Sequence, residues 1–264
     1  MNRIDQKFRE LREKKKKAFI AFITAGDPSL RITEQLVLAF EKAGVDIIEL
    51  GVPFSDPLAD GPTIQASSQR ALEKGVNLEK IFELVRRIRH KSMIPLALMT
   101  YYNPVLHYGE EKFVSKAQAC GVDGLIIPDL PPEEAGTLIH RCRRKDLAAI
   151  FFIAPTTTRQ RMKKIVQAST GFVYSVSLTG VTGARQQLPG SIVRQVRLAK
   201  QLTAKPICVG FGISHPEQIR SVAKIADGVI VGSAIVQEIA KNSGRKQLVR
   251  GVFHFVRRLV KALD

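Results

Sequence analysis

The sequence predicts an α/β fold, a single (β/α)8 barrel spanning residues 1–264, and three observations predict it. Short apolar runs rich in Val, Ile and Phe recur eight times along the chain. They are mostly continuous rather than alternating, the pattern of strands covered on both faces. Segments of helical periodicity separate them, and eight such units in 264 residues suit a closed barrel better than an open doubly wound sheet. Periodicity alone leaves the open sheet available. No linker, low-complexity tract or shift of composition divides the chain, so one domain is expected.

The first run, residues 19–24, follows Lys14, Lys15, Lys16 and Lys17 and ends in Gly26-Asp27-Pro28. A basic start before apolar residues resembles an export signal, but so short an apolar stretch closed by a turn reads as a buried first strand. A helix is predicted over 33–42 and the second strand over 45–50. The next apolar run starts at Ile94, too far on for one crossover helix, so an extra loop and helix are expected after the second strand, besides a helix over 78–90. Strands follow at 94–101 and 124–128. Pro131-Pro132 and Glu133-Glu134 place proline and acid at the start of a helix over 133–144, where both are favoured. The remaining strands are expected at 148–153, 171–177, 206–209 and 228–231, with a helix over 192–201. The last helix, 249–263, carries an apolar stripe of Val249, Val252, Phe253, Val256 and Val260 with Arg250, Arg257, Arg258 and Lys261 between. That pattern describes either the closing helix of a barrel or a surface-seeking amphipathic helix.

Composition narrows the function classes. An apolar content of 45% excludes disorder, and Cys120, Cys142 and Cys208 are odd in number and scattered, as reduced cytoplasmic thiols are. Neither they nor the five histidines show metal-ligand spacing, so no metal site is expected. No stretch approaches the length of a membrane span. The net charge is +17. Such a balance fits nucleic acid, yet Trp is absent and only four Tyr occur, with no interleaving of basic and aromatic residues.

In a barrel the chemistry lies at the C-terminal ends of the strands. Glu49 closes the second apolar run, where burial raises a carboxylate pKa and suits it to acid/base work; a salt bridge to a nearby lysine is the plainer reading. The following loop holds Asp56 and Asp60, which either cap turns or, for Asp60, form with Glu49 a carboxylate pair divided between acid and base roles. Three glycine turns come last: Gly180 and Gly183, Gly210 and Gly212, then Gly232-Ser233 at an expected helix start. Glycines let backbone N–H groups approach an anion, and phosphate sites after strands seven and eight are frequent in such barrels, so a phosphorylated substrate is expected. Residues 179–190 form a polar loop with glycines at 180, 183 and 190, composed as a lid or as a plain surface connection.

The segment Ile48-Glu49-Leu50-Gly51-Val52-Pro53-Phe54-Ser55-Asp56-Pro57-Leu58-Ala59-Asp60-Gly61 resembles the signature of the tryptophan synthase α-subunit family. Phe22-Ile23-Thr24-Ala25-Gly26-Asp27-Pro28, Met99-Thr100-Tyr101-Tyr102-Asn103-Pro104, Ile127-Pro128-Asp129-Leu130-Pro131, Thr179-Gly180-Val181-Thr182-Gly183 and Val209-Gly210-Phe211-Gly212-Ile213 are similar to further family segments. The resemblance implies a TIM-type barrel that cleaves indole-3-glycerol phosphate by a retro-aldol reaction to indole and glyceraldehyde 3-phosphate, without a metal or organic cofactor in this chain. It implies Glu49 as general acid/base and Asp60 as acceptor of the indole N–H, with Tyr174 near Glu49 and Thr182 closing onto Asp60. Phosphate recognition falls on Gly183, Gly212, Gly232 and Ser233, and the indole pocket on Phe22, Ile64, Met99 and Phe211. The implied partner is a β subunit carrying pyridoxal phosphate, in an α2β2 assembly, faced by Pro53, Asp56, Asn103, Pro104, Asp129 and Pro131. The charge and the lysine run at 14–17 depart from the family pattern. A stand-alone indole-glycerol-phosphate lyase shares every site residue. A sugar-phosphate isomerase or epimerase in a similar barrel explains the glycines but not the segment from Glu49 to Asp60. A barrel without activity, kept as a basic binding or regulatory module, explains the charge but not Glu49 and Asp60.

Overall fold

The computed structural model describes residues 2–176, 189–210 and 212–263. The chain opens with helix α1 (Arg3–Glu13), strand β1 (Ala18–Thr24), α2 (Leu30–Ala43) and β2 (Ile47–Gly51). Two helices follow, α3 (Pro62–Glu73) and α4 (Leu78–Arg89), so the long segment does hold the extra helix. Next come β3 (Leu96–Met99), α5 (Tyr102–Tyr108), α6 (Glu110–Cys120), β4 (Gly124–Ile126), α7 (Gly136–Arg144), β5 (Ala148–Ile150), β6 (Phe152–Ile153) and α8 (Arg159–Ala168). The last part runs β7 (Val173–Val176), α9 (Gly190–Leu202), β8 (Ile207–Gly210), α10 (Pro216–Ala223), β9 (Gly228–Val231), α11 (Ser233–Lys241) and α12 (Leu248–Val260), with a 3-10 turn over Lys261–Leu263.

Among the described residues all strand pairs are parallel, in the order β5-β4-β3-β2-β1-β9-β8-β7-β6. The two ends of that order are one stretch of chain. Ala148, Ile150 and Phe152 face the inner core while Ala149, Phe151 and Ile153 face the helices, so the predicted strand keeps its alternation throughout. It changes ladder at Phe151: β5 pairs with β4, and β6 with β7. The predicted run is therefore one strand by direction and two by pairing, which accounts for nine strands where eight runs were read.

The alternation sorts the core into two shells. Phe19, Ala21, Ile23, Ile48 and Leu50 point outward into the layer shared with the helices, whereas Ala18, Ile20, Ile47, Ala97, Ile126, Tyr174, Cys208 and Ile230 fill the interior. Helix α1 closes the end of the barrel where the strands begin. Its buried residues Ile4, Phe8 and Leu11 recur along one face and join the inner core, with the Phe8 ring 5.8 Å from that of Phe172. Asn2 caps it by accepting from the Ile4 N–H at 2.8 Å, and donates to the carbonyl oxygens of Asp123 and Asp146 at 2.5 and 2.7 Å. A Cβ on Gly124 would lie 3.0 Å from the Ile4 side chain, so glycine there admits the helix.

Two sequence expectations shift. The helix expected over 133–144 begins at Gly136, because the Pro-Pro-Glu-Glu signals form a separate turn in which the N–H groups of Glu134 and Ala135 both reach the Pro131 carbonyl. The final helix packs on α2 and is a closing helix, but its buried residues are Leu248, Val252, Val256 and Leu259, with Val249, Phe253 and Val260 half-buried at the margin. Among the described residues, no helix is long and apolar enough to cross a membrane.

Candidate active site

The C-terminal ends of the strands surround a cavity of about 510 Å3. Its lining combines apolar side chains, among them Phe22, Ile64, Met99, Phe152 and Ile230, with Asp60, Tyr174, Gly212, Gly232 and Ser233. Phe22, Ile64 and Met99 pack together with Val236 on one wall. Gly51 makes room for that wall, since a Cβ there would lie 2.6 Å from the Phe22 ring. A cavity with so many apolar lining side chains and few polar ones suits a flat apolar ring.

Glu49 lies on β2 opposite Phe22 of β1 and Ala97 of β3, and partners in parallel register share a face, so its carboxyl points into the barrel. It is 0% exposed, and among the described residues neither carboxyl oxygen has a hydrogen-bond partner. The salt bridge to a lysine is thus not formed. Burial pushes the Glu49 pKa up to about 8, so at neutral pH the side chain keeps its proton. The Tyr174 phenol is also buried, and its pKa is raised first by that burial and then by the neighbouring Glu49 charge. Its ring stacks on Phe152 with centroids 4.7 Å apart, and its hydroxyl fills the place a side chain at Gly210 would take.

Asp60 sits in the cavity wall, half-buried, just before α3. It caps no helix, since the α3 N-cap is Gly61 and has no side-chain bond; Asp56 is exposed and accepts from the Ser55 hydroxyl at 2.5 Å. Burial lifts the Asp60 pKa to about 6, against the hydrogen bond from the Tyr101 hydroxyl, which lowers it. That hydroxyl also accepts from the Ala59 N–H at 2.9 Å, pinning the loop. The two carboxyls are therefore set apart in protonation: near neutrality Glu49 is an acid and Asp60 an anion.

On the cavity wall too, α11 begins at Ser233 with Gly232 as its N-cap, and both residues line it. The first N–H groups of a helix lack internal acceptors and carry the positive end of its dipole, which suits a phosphate. Gly212, at φ 40, lines the same end. The structure thus brings together Phe22, Ile64, Met99, Tyr174, Asp60, Gly212, Gly232 and Ser233 around one cavity, with Glu49 buried behind it. Thr182, Gly183 and Phe211, and most of the loop read as a lid, lie outside the described residues. Tyr101 was not singled out from the residues alone, although its place at the end of the third apolar run was the available signal. Among the described residues no cluster of His, Cys, Asp or Glu is arranged to hold a metal.

The family model for the tryptophan synthase alpha chain matches residues 8–263. The tryptophan synthase alpha chain of Caldanaerobacter subterraneus subsp. tengcongensis is 51% identical over 263 residues, covering 100% of both chains. Tryptophan synthase subunit alpha from Legionella pneumophila superposes with a TM-score of 0.93 at 37% identity, over 100% of this chain and 99% of that one. A chain of the tryptophan synthase complex from Pyrococcus furiosus superposes with a TM-score of 0.86 at 39% identity, over 93% of this chain and 99% of that one. By sequence over nearly its whole length and by fold, the chain belongs to the tryptophan synthase alpha chain family.

Proposed function

We propose that the chain is a carbon–carbon lyase that splits indole-3-glycerol phosphate into indole and glyceraldehyde 3-phosphate, working in the cytoplasm as one catalytic barrel. The observation that carries this reading is Glu49, a buried carboxyl that keeps its proton and has no hydrogen-bond partner among the described residues, beside an apolar cavity whose wall also carries a carboxylate and a helix N-terminus. The indole ring occupies the slot between Phe22, Ile64 and Met99, its N–H donating to Asp60, while the phosphate meets Gly212, Gly232 and Ser233.

Glu49 gives its proton to the ring carbon that bears the glycerol chain, and the ring nitrogen takes up positive charge. Asp60, already ionised, stabilises that charge through the N–H. The Glu49 carboxylate then accepts the proton of the side-chain hydroxyl adjacent to the ring. The oxygen electron pair forms the aldehyde carbonyl, the carbon–carbon bond breaks, and its electrons restore the aromatic ring. One proton is given and one is taken, so a single carboxyl serves both steps and is regenerated. No cofactor is needed in this chain. A β subunit bearing pyridoxal phosphate takes the indole, and the tryptophan synthase complexes among the structural relatives support such a partner. The exposed Leu58, 92% accessible, lies in one of the segments that the resemblance places against it. The alpha-chain relatives support this reading over a stand-alone lyase or an inactive basic barrel.

The test is indole release from indole-3-glycerol phosphate by the purified chain, with and without a β subunit. Slow release that rises with the partner is expected. Glu49→Gln is expected to lower kcat by at least about 10²-fold, the usual range for losing an acid/base group, while leaving substrate binding largely intact. Near-normal turnover in that variant overturns the mechanism. Ser233→Asp sets a carboxylate against the phosphate and is expected to raise KM; an unchanged KM removes the phosphate from that helix.

A further inference from the structure

The proposed reaction leaves one buried hydroxyl beside the site unused. Behind the Asp60 loop lies a second, small cavity of about 10 Å3, whose polar lining is Asp60, Ser68, Thr100 and Tyr101. It shares Phe22, Ile64 and Met99 with the large cavity, and Asp60 lines both.

Ser68 sits on α3 and is 4% exposed. Its neighbour Ser67 is fully engaged: its proton goes to the Ile64 carbonyl at 2.8 Å, so it accepts in its 2.6 Å contact with the Thr24 hydroxyl. The Ser68 hydroxyl has no hydrogen-bond partner among the described residues, and the Ile64 carbonyl one turn back is taken by Ser67. Alanine there would form the helix better and bury no polar atom, so the hydroxyl answers to what the cavity holds.

Asp60 is short of donors on the same side. Its backbone is fixed, the carbonyl accepting from the Gln65 side chain at 2.8 Å and the N–H donating to the Pro57 carbonyl at 3.1 Å. Its carboxylate has about four acceptor sites. Among the described residues the Tyr101 hydroxyl alone donates to them, and its single proton is thereby spent. Free space of about 10 Å3 is the least that admits one water, which needs about three polar partners to stay. Asp60, Ser68 and Thr100 supply them, since the Thr100 hydroxyl donates to the Tyr101 carbonyl at 3.3 Å and keeps its lone pairs.

We propose that one water occupies this cavity, accepting from the Ser68 hydroxyl and donating to the Asp60 carboxylate, and that Ser68 is thereby a positioning residue for Asp60. The role rests on the reading of Asp60 as acceptor of the ring N–H. Donors on the side of the small cavity favour the ionised carboxylate and leave its remaining acceptor sites to the ring N–H in the large one.

The test follows Asp60 without substrate, by carbon-13 NMR titration of its carboxyl in the full chain. The midpoint is expected near 6 in the parent. Ser68→Ala is expected to raise it by about half a pH unit or more, because a lost donor destabilises the anion, and to move the acidic limb of kcat/KM with it. Ser68→Asn, whose amide takes the place of the water and donates directly, is expected to restore the parent midpoint. Ser67→Ala deletes a buried hydroxyl one residue away; it is expected to lower the melting temperature and leave the midpoint where it was. A high-resolution crystal structure of the parent is expected to show one water within hydrogen-bonding distance of Ser68 Oγ and an Asp60 oxygen. A dry cavity, an unmoved midpoint in Ser68→Ala, an equal rise in Ser67→Ala, or a Ser68→Asn midpoint as high as that of Ser68→Ala overturns the bridge. The titration needs no turnover, so a chain that releases no indole refutes the reaction while the bridge stands or falls on its own measurement.

Discussion

At the scale of single residues, the site rests on one unfavourable burial. Glu49 costs stability, and the sign of its effect follows from its raised pKa. Below its ordinary value of 4.5 both the folded and unfolded chains hold the proton and nothing is lost. Between 4.5 and about 8 the unfolded chain ionises while the native side chain does not, so stability falls; above that the loss is complete. Glu49→Gln lacks this decline. Denaturant unfolding is expected to find the variant close to the parent near pH 4 and more stable near pH 9, by on the order of a few kcal/mol. A difference independent of pH would show that the carboxyl is not held neutral. The pH dependence of kcat/KM is expected to be bell-shaped, with limbs near 6 for Asp60 and 8 for Glu49. Tyr101→Phe removes the hydrogen bond that lowers the Asp60 pKa, so the acidic limb is expected to move upward while the basic limb stays. Glu49 was legible in the sequence because an ionisable residue inside an apolar run has few structural uses. Tyr101 was not, because a tyrosine ending an apolar run is ordinary until its hydroxyl is placed beside a carboxylate.

At the scale of elements, periodicity located most strands and helices but could not say which start signal belongs to which element. Pro131-Pro132-Glu133-Glu134 carries the chemistry of a helix start and forms a free-standing turn, because the chain breaks at Ala135 before α7 begins. Helix α1 is obscured in the sequence by the charged residues that dominate it, although Ile4, Phe8 and Leu11 recur at helical spacing. Its importance appears only when those three meet the open end of the inner core. Phe8→Ala removes the ring that packs on Phe172 and is expected to cost about 3–5 kcal/mol in equilibrium unfolding, the usual loss for a buried aromatic ring. A loss below about 1 kcal/mol would mean that α1 lies on the barrel without closing it.

At the scale of the molecule, closure was the property the sequence could not carry. Apolar runs show that strands are covered on both faces, yet an open sheet and a barrel share that pattern, and only the pairing of β5 and β6 within one stretch joins the ends. The distribution of charge was equally hidden. A balance of +17 gives no direction, whereas the fold gathers six of its cations around a cavity at the end of the barrel where the strands begin, far from the site. The rule that barrels work at strand ends made Glu49, Asp60 and the glycine turns legible as neighbours, whereas Phe22, Ile64, Met99 and Tyr174 came only with the family resemblance.

The switch of ladder at Phe151 has a mechanical side. β1 is hydrogen-bonded along both edges, to β2 and to β9, whereas the stretch Ala148–Ile153 is held on one edge by three residues and on the other by two. The ring therefore has a seam, where it can open at the least cost in hydrogen bonds. Native-state hydrogen exchange is expected to show it: the amides around Phe151 should open by local excursions, while those of Ile20 to Ile23 exchange only when the whole molecule unfolds. Phe152 lines the substrate cavity on that same stretch. A ring filling the slot also braces the seam, so substrate is expected to slow exchange there more than anywhere along β1.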